Sequence, residues 1–293
     1  MRPVLLIANP VSGGGKVQRL LPSVQARVAE LGVPARTVLT RSLEHARELA
    51  VEAADAGEIA ATLSGDGVAG AVAGALAGRE DALVCVLPGG TGNDFCRHTG
   101  IPADALEACG LLVDGTPTAI DLGEAGGRPF LGIASTGFDA DANEAANAAP
   151  RVLGRGIYVY GALSAIARWK PAQFDVTLDG EELDVEGWSV IVANTSCYGA
   201  GMFIAPDARI DDGLLEVVFI RRSSRLHFMR TLPKVFKGAH LSDPSVMVRR
   251  AREVTIGASR PFDVYADGDP IAALPTVIRV LPRAVHVLLP STA

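Results

Sequence analysis

Several things are scarce in this chain of 293 residues, and each shortage removes a class of function. Cys85, Cys96, Cys109 and Cys197 are scattered without a CxxC pair, so neither a zinc knuckle nor a dense disulfide framework is expected, and a reducing cytosol fits. Positive charge is outweighed: 27 Lys and Arg against 33 Asp and Glu give a net charge of −6. That balance repels nucleic-acid phosphates, so no nucleic-acid partner is expected. Although mean hydropathy is positive, no apolar run approaches the roughly 18 residues needed to cross a bilayer. The first apolar run is broken at Asn9-Pro10, too early for a signal peptide. The expectation is a cytoplasmic protein whose membrane contact, if any, is peripheral and on the inner face. The five histidines show no metal-ligand spacing, and there is no internal repeat or low-complexity linker.

What is present divides at about residue 123. Before it, short apolar runs (Val4 to Ala8, Ile59 to Leu63, Leu83 to Leu87) alternate with helical periodicity, as in the Val17, Leu20, Leu21, Val24, Val28, Leu31 stripe and the Leu43 to Ala54 segment. This pattern predicts an α/β domain over 1–123 with a parallel sheet, which binds ligands at the strands' carboxyl ends. From about Arg128, strand-like segments such as Phe174 to Leu178, Ser189 to Ala193, Leu214 to Ile220 and Phe262 to Ala266 are separated by Gly, Asp and Pro. They predict a mainly antiparallel β domain over 124–281, with residues 282–293 packing back on the first domain. Helices are expected from Gly154 to Lys170 and from Ser224 to Lys237, the latter kinked at Pro233.

Three glycine-rich turns follow strands. Asn9-Pro10-Val11-Ser12-Gly13-Gly14-Gly15-Lys16 offers backbone N–H groups and a cation to a phosphate, but lacks Walker A spacing. The same segment also reads as a plain turn with a solvated lysine. Ser64-Gly65-Asp66-Gly67-Val68-Ala69-Gly70 matches GxGxxG, yet no acidic residue ends the next strand, and Asp66 would face pyrophosphate directly. A bridging Mg²⁺ turns that repulsion into attraction, although an aspartate helix cap reads equally well. In Pro88-Gly89-Gly90-Thr91-Gly92-Asn93-Asp94-Phe95, Thr91 and Asn93 add polar groups for phosphate, ribose or base. Three such turns at the ends of parallel strands would meet in one crevice.

These residues resemble the bacterial diacylglycerol kinase-like lipid kinases, which share a catalytic domain with sphingosine kinases and, more distantly, NAD kinases. The likeness also takes in Ala119 to Gly123, Gly137 to Ala140, Gly199 to Met202, Ala205 to Ala208, Asp212 to Leu215 and Asp267-Gly268-Asp269, and so runs over almost the whole chain. It implies ATP and Mg²⁺ as cofactors, a lipid acceptor at a membrane surface and a place in phospholipid biosynthesis; a homodimer is left open. Residue by residue it implies a nucleotide site of Asn9, Ser12, Lys16, Thr40, Gly65, Asp66, Gly67, Thr91 and Asn93. Asp269 stands where the family has its general base and Asp66 carries the phosphate-bound metal, with Asp207 joining their network. The loop Arg209 to Leu214 resembles the family's magnesium loop, with the Asp212 side chain and the Arg209 and Leu214 carbonyls as ligands.

The chain departs from that pattern in places. Asp-Gly-Asp replaces the usual Asp-Gly-Glu, Val68, Gly70 and Ala71 replace polar residues after Gly67, Ser64 replaces a glycine, and Gly132 stands where asparagine is frequent. The expected function is ATP-dependent phosphorylation of a lipid hydroxyl, diacylglycerol to phosphatidic acid. Alternatives are a kinase for a soluble nucleotide or sugar and a nucleotide- and lipid-binding sensor without turnover. Basic residues interleaved with Leu226, Phe228, Met229, Leu232, Val235 and Phe236 make a candidate membrane face, or a solvated helix packed on its own domain.

Overall fold

A computed structural model of the chain describes residues 2–138 and 169–291. The helix expected from Gly154 lies outside the described residues except for Trp169 and Lys170, as do Asp139 and Ala140. In the first part, β1 (Val4–Ala8), β2 (Ala35–Leu39), β3 (Ile59–Ser64) and β4 (Leu83–Pro88) form a parallel sheet in the order β2-β1-β3-β4. β1, β3 and β4 are buried at every residue, as strands covered on both faces must be, which is why they read as continuous apolar runs. The covering helices are α1 (Ser12–Glu30), α2 (Leu43–Asp55) and α3 (Asp66–Ala75), followed by the short α4 (Asp94–Thr99), α5 (Ala105–Ala108) and α6 (Leu111–Asp114). α1 packs Val17, Val24 and Val28 into the core. Ser42 starts α2 by accepting a hydrogen bond from the His45 N–H at 3.0 Å, an N-cap.

The second part is mainly antiparallel: β5 (Thr116–Ala125), β6 (Arg128–Phe130), β7 (Ile133–Gly137), β8 (Ala172–Leu178), β9 (Glu181–Ala193), β10 (Leu215–Arg221), β11 (Val246–Ala251), β12 (Glu253–Ala258), β13 (Asp263–Ala266), β14 (Asp269–Ala273) and β15 (Thr276–Leu289). β8 alternates cleanly, burying Ala172, Phe174, Val176 and Leu178, the period of a half-buried strand. β9 pairs with β8 through its first half and lies between β7 and β10 through its second. Trp188, Phe174 and Phe219 fill the core beneath it.

β15 joins the two parts. It pairs antiparallel with β12 and β5 and then meets β4 in parallel at His286 and Val287. Its register with β5 shifts between Leu281 and Val285. There Arg283, with φ of 50°, donates its N–H to the buried Asp121 carboxylate at 2.7 Å. The bulge is thus held by a charge-assisted bond from the neighbouring strand.

Between Ser224 and Lys237 the chain forms α7 (Arg225–Thr231) and then a 3₁₀ turn over Leu232–Lys237. Pro233 has no N–H to continue an α-helix, so the helix gives way at the residue before it.

Gly123 sits opposite Phe130 across the β5–β6 ladder, and a Cβ there would lie 2.0 Å from the Phe130 ring. Gly123→Ala must displace a ring that is 2% exposed. It is expected to cost about 1–3 kcal/mol, as overpacking does, and to lower the unfolding temperature by several degrees in a thermal melt.

Candidate functional site

The three glycine turns do meet. They leave the carboxyl ends of β1, β3 and β4 and pack backbone against backbone. A Cβ on Gly90 would lie 2.4 Å from Gly65 Cα, and one on Gly13 would lie 2.6 Å from the Gly89 carbonyl oxygen. Only glycine allows that approach. The first turn is further shaped by left-handed backbone at Gly13, Gly14 and Gly15, so regular helix in α1 starts near Lys16. Asn93 braces the third turn, accepting from the Gly90 N–H at 2.8 Å and donating to the Gly90 carbonyl at 3.1 Å.

Asp66 ties the second turn to the third. Its Oδ2 accepts from the Asp94 N–H and its Oδ1 from the Phe95 N–H, both at 3.0 Å. The carboxylate therefore caps α4 as well as opening α3. Asp94 lies beside it: their Oδ2 atoms flank Gly92, where a Cβ would sit 3.3 Å from Asp66 and 3.1 Å from Asp94. Asp94 is also held by the Ala200 N–H at 2.8 Å and by the Arg97 guanidinium. Burial raises the Asp94 carboxyl above its ordinary range, and the charge of Asp66 adds to this.

A third carboxylate comes from the β13–β14 turn. Asp267 accepts from the N–H groups of Leu131 at 2.8 Å and Gly132 at 2.9 Å. Its oxygens occupy the space that side chains at positions 70 and 132 would need, since a Cβ would meet them at 2.5 Å from Gly70 and 2.7 Å from Gly132. Two of the sequence departures thus have a shared physical reason. Burial pushes the Asp267 carboxyl up to about 7, with Asp66 adding to the rise while the N–H donors oppose it. A raised folded-state value means the folded chain holds the proton more tightly than the unfolded chain. The stabilisation is complete below the unfolded carboxyl value near 4 and is lost as pH rises through about 7. Urea unfolding from pH 5 to 8 should therefore show stability falling with pH at this site, and Asp267→Asn should flatten that slope.

A cavity of about 580 Å³ begins at these turns and continues into the β-rich part. At one end it is lined by Ser12, Gly65, Asp66, Gly67, Thr91, Asp94 and Asp267; at the other by apolar side chains including Ile191, Met202, Phe228 and Val235. A second cavity of about 470 Å³ lies on the far side of the third turn and contains Lys16, Thr91, Asn93 and Arg97. Lys16 and Arg97 give it cationic character suited to phosphate. Of the expected nucleotide residues, Ser12, Asp66 and its flanking glycines thus line the first cavity, Lys16 and Asn93 the second, and Thr91 both.

Other expected site residues lie outside both cavities. Asn9 closes its own turn by accepting from the Val11 N–H at 3.2 Å. Thr40 is buried and donates to the Ser42 carbonyl at 2.7 Å. Asp269 is half-buried against the start of α3, its Oδ2 3.5 Å from where a Cβ on Gly67 would sit. Burial raises its carboxyl, while Arg128 and Arg47 pull it down. Asp207 is exposed, and its carbonyl receives Arg250 at 3.3 Å. The acidic residues that line the cavity beside Asp66 are Asp94 and Asp267, to which sequence reasoning assigned no role. Both sit in conspicuous motifs, the third glycine turn and Asp267-Gly268-Asp269.

Among the described residues no group of three or more His, Cys, Asp or Glu side chains is arranged to hold a metal by itself. Asp66 presents carboxylate oxygens of the kind a divalent cation takes, each also accepting one backbone N–H, and phosphate oxygens would have to complete the shell. In the 209–214 loop, Asp212 accepts from the Leu214 N–H at 3.1 Å and faces Arg250 at 3.7 Å, while Arg209 pairs with Asp211. The loop is fastened to β5 through Asp121, which accepts from the Gly213 N–H and whose own N–H donates to the Ile210 carbonyl.

Residues 3–125 match the diacylglycerol kinase catalytic domain, and residues 132–289 match the YegS C-terminal NAD kinase beta sandwich-like domain. The chain is 35% identical to a diacylglycerol kinase of Mycobacterium tuberculosis over 98% of this chain and 95% of that one. It is 26% identical to a diacylglycerol kinase of Bacillus subtilis over 99% and 97% of the respective chains. A diacylglycerol kinase crystal structure from Bacillus anthracis superposes with a TM-score of 0.81 at 24% identity, covering 99% of this chain and 98% of that one. Yeast NADH kinase superposes with a TM-score of 0.50 at 12% identity, over 99% and 84%.

Proposed function

The chain belongs to the diacylglycerol kinase and YegS-like lipid kinase family, and from that premise we propose that it transfers the γ-phosphate of ATP to the hydroxyl of a lipid, diacylglycerol giving phosphatidic acid. The observation that carries this reading is the shape of the larger cavity, in which the glycine turns open directly into an apolar chamber. A soluble sugar or nucleotide has no use for such walls, whereas an acyl chain gains about 0.8 kcal/mol for each buried CH₂.

In this reading the backbone N–H groups of the turns, with Lys16 and Arg97, bind the phosphates. Mg²⁺ would be held by Asp66 together with phosphate oxygens, and when bound it would offset charge on the transferring group. A second, structural Mg²⁺ would use the Asp212 side chain and the Arg209 and Leu214 carbonyls. Asp269 accepts the proton of the attacking hydroxyl. Its raised affinity for a proton suits that role, since a base works best when its proton affinity approaches the operating pH. The Asp269 side chain is one methylene shorter than the family's glutamate and stands outside the cavity lining, so in this reading the two parts close on the acceptor.

Purified protein incubated with labelled ATP, Mg²⁺ and diacylglycerol in mixed micelles should give labelled phosphatidic acid. Label appearing only on soluble acceptors, or no turnover with any acceptor, would sink the proposal.

A further inference from the structure

Seven large apolar side chains are exposed among the described residues, and three of them, Leu226 (57%), Met229 (44%) and Phe236 (52%), fall between positions 226 and 236. The same stretch carries Arg225, Arg230, Lys234 and Lys237, follows Arg221 and Arg222, and holds no acidic residue before Asp243. In a chain of net charge −6 this is a local reversal of sign. Some of these cations are engaged: Arg222 with Glu186, Arg225 with the Trp169 carbonyl, and Lys234 with Asp243 at 3.7 Å. Arg230 and Lys237 have no ion pair among the described residues. Leu226 and Met229 are three residues apart on α7 and so share a helix face.

The other side of the segment faces inward. Phe228, Thr231, Leu232, Pro233 and Val235 line the larger cavity, and Phe236 both lines it and is half exposed. The cavity therefore reaches the surface where apolar and basic side chains are interleaved. A folded protein in water has no reason to leave such residues uncovered together, but a bilayer interface accommodates both. Apolar tips enter the acyl boundary, while long basic chains reach the negative headgroups.

We propose that residues 225–237 are the face by which the protein docks on an anionic phospholipid bilayer, with the acceptor passing from the bilayer into the cavity alongside Phe236. The inference rests on the lipid-kinase reading for what passes, but the docking itself can be read without turnover. The full chain is sedimented with vesicles of phosphatidylcholine alone and with vesicles containing phosphatidylglycerol. Binding is expected to the second, weakening as salt rises. The pairs Leu226→Ser with Met229→Ser, and Arg230→Glu with Lys237→Glu, touch neither cavity. Each pair should reduce vesicle binding by on the order of 10-fold or more, with an unchanged unfolding midpoint.

Activity toward diacylglycerol in vesicles should fall in parallel, while activity toward a short-chain diacylglycerol dispersed in detergent is retained. Wild-type protein that ignores both vesicles, or variants that bind as well as wild type, would overturn the docking face. Vesicle binding that is lost in the variants while even the wild type phosphorylates no lipid would leave docking standing and remove the kinase reading instead.

Discussion

Asp269→Asn should lower kcat toward the lipid acceptor by on the order of 10²- to 10⁴-fold, the usual loss when a general base is removed, with little change in affinity for Mg-ATP. The amide has nearly the same volume as the carboxylate and cannot take up the proton. The structure also supplies a competitor two residues earlier. Asp267 lines the cavity and Asp269 does not, yet Asp267 has both oxygens committed to the Leu131 and Gly132 N–H groups, which favours a positioning role. Asp269→Glu discriminates further. One added methylene restores the length that the family ordinarily has, so this variant should be at least as active as wild type. An Asp269→Asn variant with full activity would move the base elsewhere, and Asp267 would be the first place to look.

Asp66→Ala should be the most damaging change in the nucleotide half. The carboxylate receives the Asp94 and Phe95 N–H groups, so its loss unties the third turn from the second and leaves two donors at the start of α4 without a partner. Such a loss costs about 1–3 kcal/mol where the group is buried. The variant also lacks the charge that links Mg²⁺ to the phosphates, and kcat/KM should fall by about 10²-fold or more, a fall equal to at least about 2.7 kcal/mol of transition-state stabilisation. Thermal unfolding separates the two effects. Ligand at 100 times its Kd stabilises a protein by about 2.7 kcal/mol, so Mg-ADP should raise the wild-type midpoint by several degrees. Asp66→Asn keeps one acceptor oxygen but sets its amide against the other N–H donor, so it should be destabilised less than the alanine variant, yet lose most of that Mg-dependent rise. If the Asp66→Asn protein responded to Mg-ADP as the wild type does, the metal-linked role of Asp66 would be wrong.

Much of the nucleotide half was legible because its signals are local. The run Val4 to Ala8 is the strand itself, and glycines directly after strands mark turns that need close backbone approach. The convergence of the turns followed from parallel topology. β2 was not legible, because Ala35-Arg36-Thr37 shows neither a continuous apolar run nor burial. The continuity of β15 was hidden: Pro282 and Arg283 interrupt the strand in sequence, and only the pairing across to Asp121 on β5 shows that it continues through a bulge. Ser224 to Lys237 read as one kinked helix; the observed change to a 3₁₀ turn at Leu232 depends on how the backbone settles around Pro233.

Within the site, sequence alone identified Asp66 but could not see which way its carboxylate turns. Nor could it see that Gly70 and Gly132 are small for one reason. Those glycines are 62 positions apart and are related only through the Asp267 oxygens, a long-range fact with no local trace. The absence of polar residues after Gly67 reads in sequence as a departure from the family pattern. At Gly70 the structure gives it a packing cause, since a side chain there would meet the Asp267 carboxylate of the β13–β14 turn.

A crystal structure with Mg-ADP and a diacylglycerol analogue tests the central claim most directly. The account predicts the phosphates against the Gly65–Gly67 and Gly90–Gly92 turns, with Mg²⁺ at Asp66. It also predicts the acyl chains among Ile191, Met202, Phe228 and Val235, with the acceptor hydroxyl facing Asp269. A nucleotide bound away from these turns, or an apolar chamber that excludes the lipid, would contradict it.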